Sequence, residues 1–471
     1  MEMFSQFVAM TNDFLWSYLI IAMLIIVGLW FTLRSGFAQF RHIGEMVRLL
    51  GEGMGKKSGI SSFQAFCIST ASRVGVGNIA GVAMAIALGG PGAVFWMWLI
   101  ALIGGASAFV EATLAQIYKV KDGDTFRGGP AYYMEKGLGQ RWMGVLFAVL
   151  ITLCFGLVFN SVQSNTITVA FESTYGLDRS VLGIGLVIFL GIIIFGGVKR
   201  IARASELMVP FMAIAYLLMA LYVTVTNLSV IPDVLKQIVL GAFGLEQVVG
   251  GGIGAAMMQG IKRGLFSNEA GMGSAPNAAA TATVSHPVKQ GFIQALGVFV
   301  DTLLICTATA TVVLVSGAYT DANLSGIEIA SKGLGAELGI WAQHFLAFAV
   351  LLFAFTSMVG NYYYGETNIE FIKRSKGWLF TYRLAVLGMV MWGAVSKVQI
   401  VWDLADLFMA LMAIINLVAI LLLGKVAMNA LKHYNEQRKA GKNPEFTADS
   451  LPGLTGVEAW DSSQNRQSKA G

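Results

Sequence analysis

The sequence predicts an all-α integral membrane protein of about eleven transmembrane helices: one extra N-terminal helix followed by a five-plus-five inverted-repeat core whose first and sixth helices are broken. Three observations predict it: a chain rich in apolar residues and poor in charge, an alternation of basic and non-basic connections, and a motif that returns 190 residues later with its acidic companion.

Of the 471 residues, 56% are hydrophobic and 13% charged, whereas soluble domains run near a quarter charged. Segments such as 14–33 and 402–424 lack the charge density of a water-facing helix, and each can cover the ~30 Å hydrocarbon core. No basic region precedes the first segment and no small-residue cleavage site follows it, so a retained anchor is expected rather than a removable signal. The excess of 32 Lys and Arg over 27 Asp and Glu lies in loops and tail, not on one groove-lining face, so no nucleic-acid partner is expected. Cys67, Cys154 and Cys306 fall in apolar segments without CxxC or His spacing, and the four histidines are scattered. The pattern offers no disulfide, metal-cluster or cofactor site. Neither a GxSxG elbow nor an HExxH pair occurs, which argues against an enzyme.

Hydropathy with Gly, Pro and charge breaks places spans near 15–33, 61–88, 92–118, 142–170, 180–197, 206–227, 249–275, 291–316, 339–372, 379–395 and 402–424. Arg34, Arg41, Arg48, Lys56 and Lys57 follow the first span; Lys119, Lys121, Arg127, Lys136 and Arg141 follow the third; Lys199, Arg200 and Arg203 follow the fifth. Because Lys and Arg are retained inside, these loops are expected in the cytoplasm of a bacterial cell, with a multi-pass inner-membrane chain, a periplasmic N-terminus and a cytoplasmic C-terminus. The expected organisation is an extra helix at 1–35, an interfacial cytoplasmic helix at 36–60, a first repeat at 61–228, a second at 229–425 and a mostly unstructured polar tail at 426–471.

RVGVGNIAG at 73–81 and RGLFSNEAG at 263–271 share Arg73/Arg263, Asn78/Asn268, Ala80/Ala270 and Gly81/Gly271 at one offset, and the same offset pairs Glu111 with Asp301. An odd number of crossings separates the copies, so the second runs through the bilayer in the opposite sense. Inverted repeats with glycine-interrupted helices point to a secondary transporter with its site near the midplane.

Gly75, Gly77 and Gly81 surround Asn78, and Gly264, Gly271 and Gly273 surround Asn268 and Glu269. Helix propensity collapses there. Unwound backbone survives in hydrocarbon only where its peptide groups are satisfied within the protein or by what it binds. Free N–H groups at a half-helix N-terminus suit a carboxylate, and exposed carbonyls suit an ammonium or Na⁺. Arg73, Glu111, Arg263, Glu269 and Asp301 lie inside predicted spans, where ionisable groups are costly; they are candidate structural or coupling charges, with Glu111 and Asp301 the natural partners of the two arginines. Asn160, Gln163 and Asn165 form a polar stripe on another span, and the adjacent hydroxyls of Thr356 and Ser357, ahead of Asn361, suit a small hard cation.

GGPGAVFWMWLIALIG at 89–104 closely resembles the signature of the alanine/glycine:cation symporters, also called sodium:alanine symporters. GNIAGVA at 77–83, RGGPAYYMEKGLG at 127–139 and GLFSNEAGMGSAPNAAA at 264–280 look like the same family. The resemblance implies an amino acid, polyamine and organocation type, LeuT-like core, with alanine or glycine and Na⁺ bound where the first and sixth core helices break. VGVGN at 74–78 is also similar to the broken helix of neurotransmitter:sodium symporters. By that likeness Ala71, Val74, Thr356 and Ser357 hold Na⁺, the Val76 and Gly77 amides meet the substrate carboxylate, and Asn78 serves a second cation or the substrate. Phe266, Ser267, Asn268, Gly271, Met272 and Gly273 then line the opposite wall, with Gln163 and Asn361 completing the substrate set.

The expected function is therefore Na⁺-coupled symport of a small neutral amino acid by alternating access, in a lipid bilayer, with no cofactor beyond the coupling ion. A proton-coupled symporter is the nearer alternative, since Glu269, Glu111 and Asp301 can carry protons. A passive pore is the more distant one, because no filter-like ring of ligands is present. A monomer is compatible with the sequence, which does not encode the oligomeric state legibly.

Overall fold

A computed structural model describes residues 2–52, 59–245, 252–324 and 326–460. The expectations for Lys56, Lys57, the start of the span at 249–251 and the end of the tail at 461–471 lie outside these residues.

Each expected span contains helix among the described residues, and eight helices there, or nine with the bent pair at the first break taken as one, are long and apolar enough to cross a membrane. The extra helix is α1, Met3–Arg34. A short amphipathic helix α2, Ile43–Leu50, falls within the stretch 36–60 and buries Met46 and Leu49. The first core helix is split into α3, Ser62–Arg73, and α4, Ala80–Gly89, with the chain bent by 59° at the break. A capping box starts α3: Ser61 Oγ accepts from Gln64 N while Gln64 Oε1 accepts from Ser61 N, closing two orphan donors at the helix start. Then follow α5, Gly92–Ile117; a short hairpin of β1, Val120–Asp122, and β2, Thr125–Arg127; α6, Pro130–Lys136; α7, Arg141–Tyr175; α8, Arg179–Ile194; and α9, Gly197–Thr226.

The second half opens with α10, Ile231–Ala242, and then α11, Ile253–Asn268, which stops at an unwound stretch before the single turn α12, Pro276–Ala279. It continues with α13, Pro287–Ser316; α14, Gly326–Leu338; α15, Ile340–Ile372; α16, Lys376–Val395; and α17, Val398–Lys439. The order repeats: broken helix, then a long helix bearing an acid, Glu111 on α5 and Asp301 on α13.

Two spans are shorter than expected. α8 and α11 have 16 residues each, ~24 Å at 1.5 Å per residue, less than the ~30 Å core. α11 ends early because the glycine-rich stretch after it unwinds.

The tail departs from the expectation of disorder. α17 runs to Lys439, and beyond it Phe446, Leu451 and Trp460 are buried. Phe446 N donates to Ser285 O at 2.8 Å, and Trp460 Nε1 donates to Gln116 O at 2.9 Å, so the tail lies across the ends of α5 and α13. Three separated apolar residues in a polar stretch suffice to dock it, a pattern that an average over the segment conceals.

Candidate functional site

α3 stops at Arg73 and the chain passes through Val74 and Gly75 into one 3-10 turn at Val76–Asn78. Gly75 is required by space: a Cβ there would meet Ser357 Oγ at 2.2 Å. Ser357, on α15, lies with its hydroxyl oxygen 2.9 Å from Ala71 O, 3.1 Å from Ser72 O and 3.4 Å from Val74 O. A hydroxyl carries one proton and serves one carbonyl at a time. Three carbonyls and a hydroxyl oxygen gathered at one point also match the oxygen ligands of a small hard cation. This joins Ala71, Val74 and Ser357 as the sequence expects and adds Ser72.

Thr356 is not brought to this cluster. Its hydroxyl donates to Phe353 O on its own helix at 2.8 Å and faces Met212 Sδ. Of the polar stripe on α7, only Gln163 reaches the break, where its Oε1 accepts from Val76 N at 3.1 Å. Asn160 bonds back to Gly156 O, and Asn165 donates to Gly393 O and Ser396 O, tying α7 to the end of α16.

Asn78 sits at the centre of the first break. Its Oδ1 accepts from Gly75 N at 2.9 Å, its Nδ2 donates to Asp301 Oδ1 at 2.6 Å, and its carbonyl accepts from Thr309 Oγ1 at 2.6 Å. Asp301 also accepts from Ser267 Oγ at 2.8 Å and Thr302 Oγ1 at 3.0 Å. It lies in a wide-turn stretch of α13, Val300–Cys306; such expansions recur at functional sites.

The second break runs from Glu269 to Ala275. Glu269, Gly271 and Gly273 have φ of +60°, +83° and +85°, a region glycine enters freely and Glu does not. The Glu269 carboxylate accepts from Ser72 Oγ at 2.7 Å and Ser274 Oγ at 2.6 Å, joining the two breaks. Ser72 Oγ is also 2.7 Å from the Asn361 amide, and Met272 N donates to Glu269 O. Gly77 packs against Phe266, whose ring lies between Phe159 at 4.5 Å and Trp402 at 4.9 Å. These aromatics pack directly on the first break.

The expected pairing of Arg73 and Arg263 with Glu111 and Asp301 is not what forms. Arg73 Nε donates to Asn268 O at 2.9 Å and its Nη1 to Gln294 Oε1 at 3.0 Å. Arg263 is bound instead by Asp406. Glu111 accepts from the backbone of the second break: Gly271 N to Oε1 and Gly273 N to Oε2, both at 3.1 Å, with Asn416 Nδ2 at 2.8 Å. Amides and a neutral side chain satisfy this carboxylate, so it needs no arginine. Asp406 and Asn416 are two polar residues in the span at 402–424, whose strongly apolar average hides them.

Paired broken helices, acids beside each break and a long-helix hydroxyl over the first break's carbonyls are the architecture of a membrane transporter built on an inverted repeat. The sequence profile described as the sodium:alanine symporter family matches residues 1–448, and the chain belongs to that family. It is 58% identical over 467 residues to the "Probable sodium/glutamine symporter GlnT" of Bacillus subtilis (strain 168), covering 99% of this chain and 98% of that protein. It is 37% identical over 450 residues to the "Sodium/alanine symporter AgcS" of Methanococcus maripaludis, covering 93% and 98%. Among solved structures, MhsT in complex with L-phenylalanine aligns with a TM-score of 0.53 at 15% identity, over 80% of this chain and 97% of that one. A manganese transporter from Eremococcus coleocola aligns at 0.52 and 14%, over 84% and 83%. At these identities the two structures speak for the fold.

Proposed function

We propose that this transporter carries a small neutral amino acid, alanine or glycine, into a bacterial cell with Na⁺, from an inner membrane in which the N-terminus is periplasmic and the C-terminus cytoplasmic. The observation that carries the reading is the gathering of the Ala71, Ser72 and Val74 carbonyls around Ser357 Oγ. Such a set of neutral oxygens suits Na⁺ and offers a proton no basic site. Val76, Gly77 and Gln163 at the first break and Phe266 to Gly273 at the second are the residues proposed to meet the zwitterion, with Asn361 beside Ser72. The enclosing rings of Phe159, Phe266 and Trp402 favour a small side chain.

Proton coupling is the second reading. It is favoured by Asp301, a buried carboxylate held by the side chains of Asn78, Ser267 and Thr302, and by relatives such as the "Sodium/proton-dependent alanine carrier protein" of Bacillus sp. (strain PS3), 40% identical over 438 residues and covering 89% of this chain and 98% of that protein. Uptake of labelled alanine into reconstituted vesicles, with an inward Na⁺ gradient in one arm and a pH gradient alone in the other, separates them. Accumulation in the Na⁺ arm only is expected; equal accumulation without Na⁺ ends the sodium reading. Competition by glycine, serine and glutamine in the same vesicles assigns the preferred side chain.

A further inference from the structure

Within three residues of the second break, three backbone atoms are held by two side chains from other helices. Glu111, on α5, takes the N–H groups of Gly271 and Gly273. Asn416, on α17, donates to Gly271 O at 2.9 Å and to Glu111 Oε2. Tyr133, on α6, donates in turn to Asn416 Oδ1. All three side chains are buried. Both glycines are in the left-handed region, and a Cβ on Gly273 would meet Asn416 Cγ at 2.8 Å. A peptide turned this way cannot bond along its own helix, so its donors and acceptors depend on groups brought from outside.

The repeat supplies a comparison within the molecule. Asp301 occupies the position equivalent to Glu111 and faces the other break, but its partners are the side chains of Asn78, Ser267 and Thr302. Side chains change partner by rotating about single bonds; a backbone amide moves only with its chain. A carboxylate on two amides therefore fixes geometry, while one on three side chains is free to exchange partners.

We propose that Glu111, oriented by Asn416 and Tyr133, is the positioning residue that sets the shape of the substrate-facing second break, without itself binding cargo or cation. This rests on the breaks being the substrate site. Glu111→Gln keeps the volume but leaves an NH₂ facing one amide N–H, so one charge-assisted bond is lost and one clash is gained. The half-saturating alanine concentration is expected to rise about tenfold, the effect of losing one hydrogen bond to a charged group, while that for Na⁺ rises less, because the Ser357 cluster lies at the other break and meets the second only through Ser72 and Glu269. Unchanged alanine affinity in Glu111→Gln, or equal shifts for alanine and Na⁺, would overturn the proposal. Amide hydrogen exchange of the purified full chain reads it without substrate. Glu111→Gln should speed exchange in 269–275 and leave 74–79 unchanged, and equal exchange in both segments counts against it. Absence of Na⁺-driven alanine uptake by the unaltered protein would sink the functional reading instead, with the exchange result still deciding the role of Glu111.

Discussion

Arg263 and Asp406 form a bidentate ion pair, Nη1 to Oδ1 at 3.0 Å and Nη2 to Oδ2 at 2.7 Å, between the half-helix before the second break and the last long helix. The guanidinium also lies over the Trp402 ring at 4.7 Å, and Lys262 Nζ reaches Asp406 at 3.2 Å. Removing one member of a buried pair strands the other, at a cost of about 3–5 kcal/mol, whereas replacing both with apolar groups is often neutral. Asp406→Leu is expected to lower thermal stability in detergent markedly, and adding Arg263→Met to restore most of it. If the double variant is as unstable as the single, the pair does more than compensate charge.

The split between two neighbouring hydroxyls gives a second expectation. Ser357→Ala should raise the Na⁺ concentration for half-maximal uptake about tenfold, since it removes one ligand and the partner of three carbonyls. Thr356→Ala should change it little, because that hydroxyl faces Met212 and its own helix. Uptake measured against Na⁺ at fixed alanine checks both.

Gly75→Ala should abolish transport while leaving the protein in the membrane, because the new methyl falls on Ser357 Oγ at the point where the carbonyls converge. Gly185→Ala, on α8 with nothing within 4 Å of the added carbon, is the matched control. Expression and uptake of the two variants side by side measure the difference.

Lys119, just beyond the end of α5, is buried, and burial pulls its ammonium down to about 7. Its Nζ donates to Gln116 Oε1 and Ala282 O and lies over the Trp460 ring. Between that value and the ordinary lysine range near 10.5 the unfolded chain holds a proton that the folded chain has released, so stability rises with pH across this window. Unfolding temperatures recorded from pH 7 to 10 should climb in the unaltered protein, and the slope should flatten in Lys119→Met.

The two breaks were legible because glycine, asparagine and arginine recur at one spacing and nothing in a continuous membrane helix asks for that. Ser357 was legible only together with Thr356: adjacent residues on a helix point about 100° apart, and composition does not say which one faces inward. The partners of Arg73 and Arg263 were not legible, since a backbone carbonyl leaves no mark in the sequence and Asp406 is diluted by the leucines and isoleucines around it. The docked tail was hidden for the same reason, with Phe446, Leu451 and Trp460 too far apart to register as an apolar run.

Glu111 and Asp301 each stand on one half of the chain and grip the bend of the other. A fragment ending near residue 228 would keep Asn78 but have no carboxylate to hold it, and its counterpart would keep Gly271 and Gly273 with no acceptor for their amides. Neither fragment is self-sufficient, yet each carries what its mate lacks, so co-production of the two pieces should rebuild a working carrier where either piece alone does not.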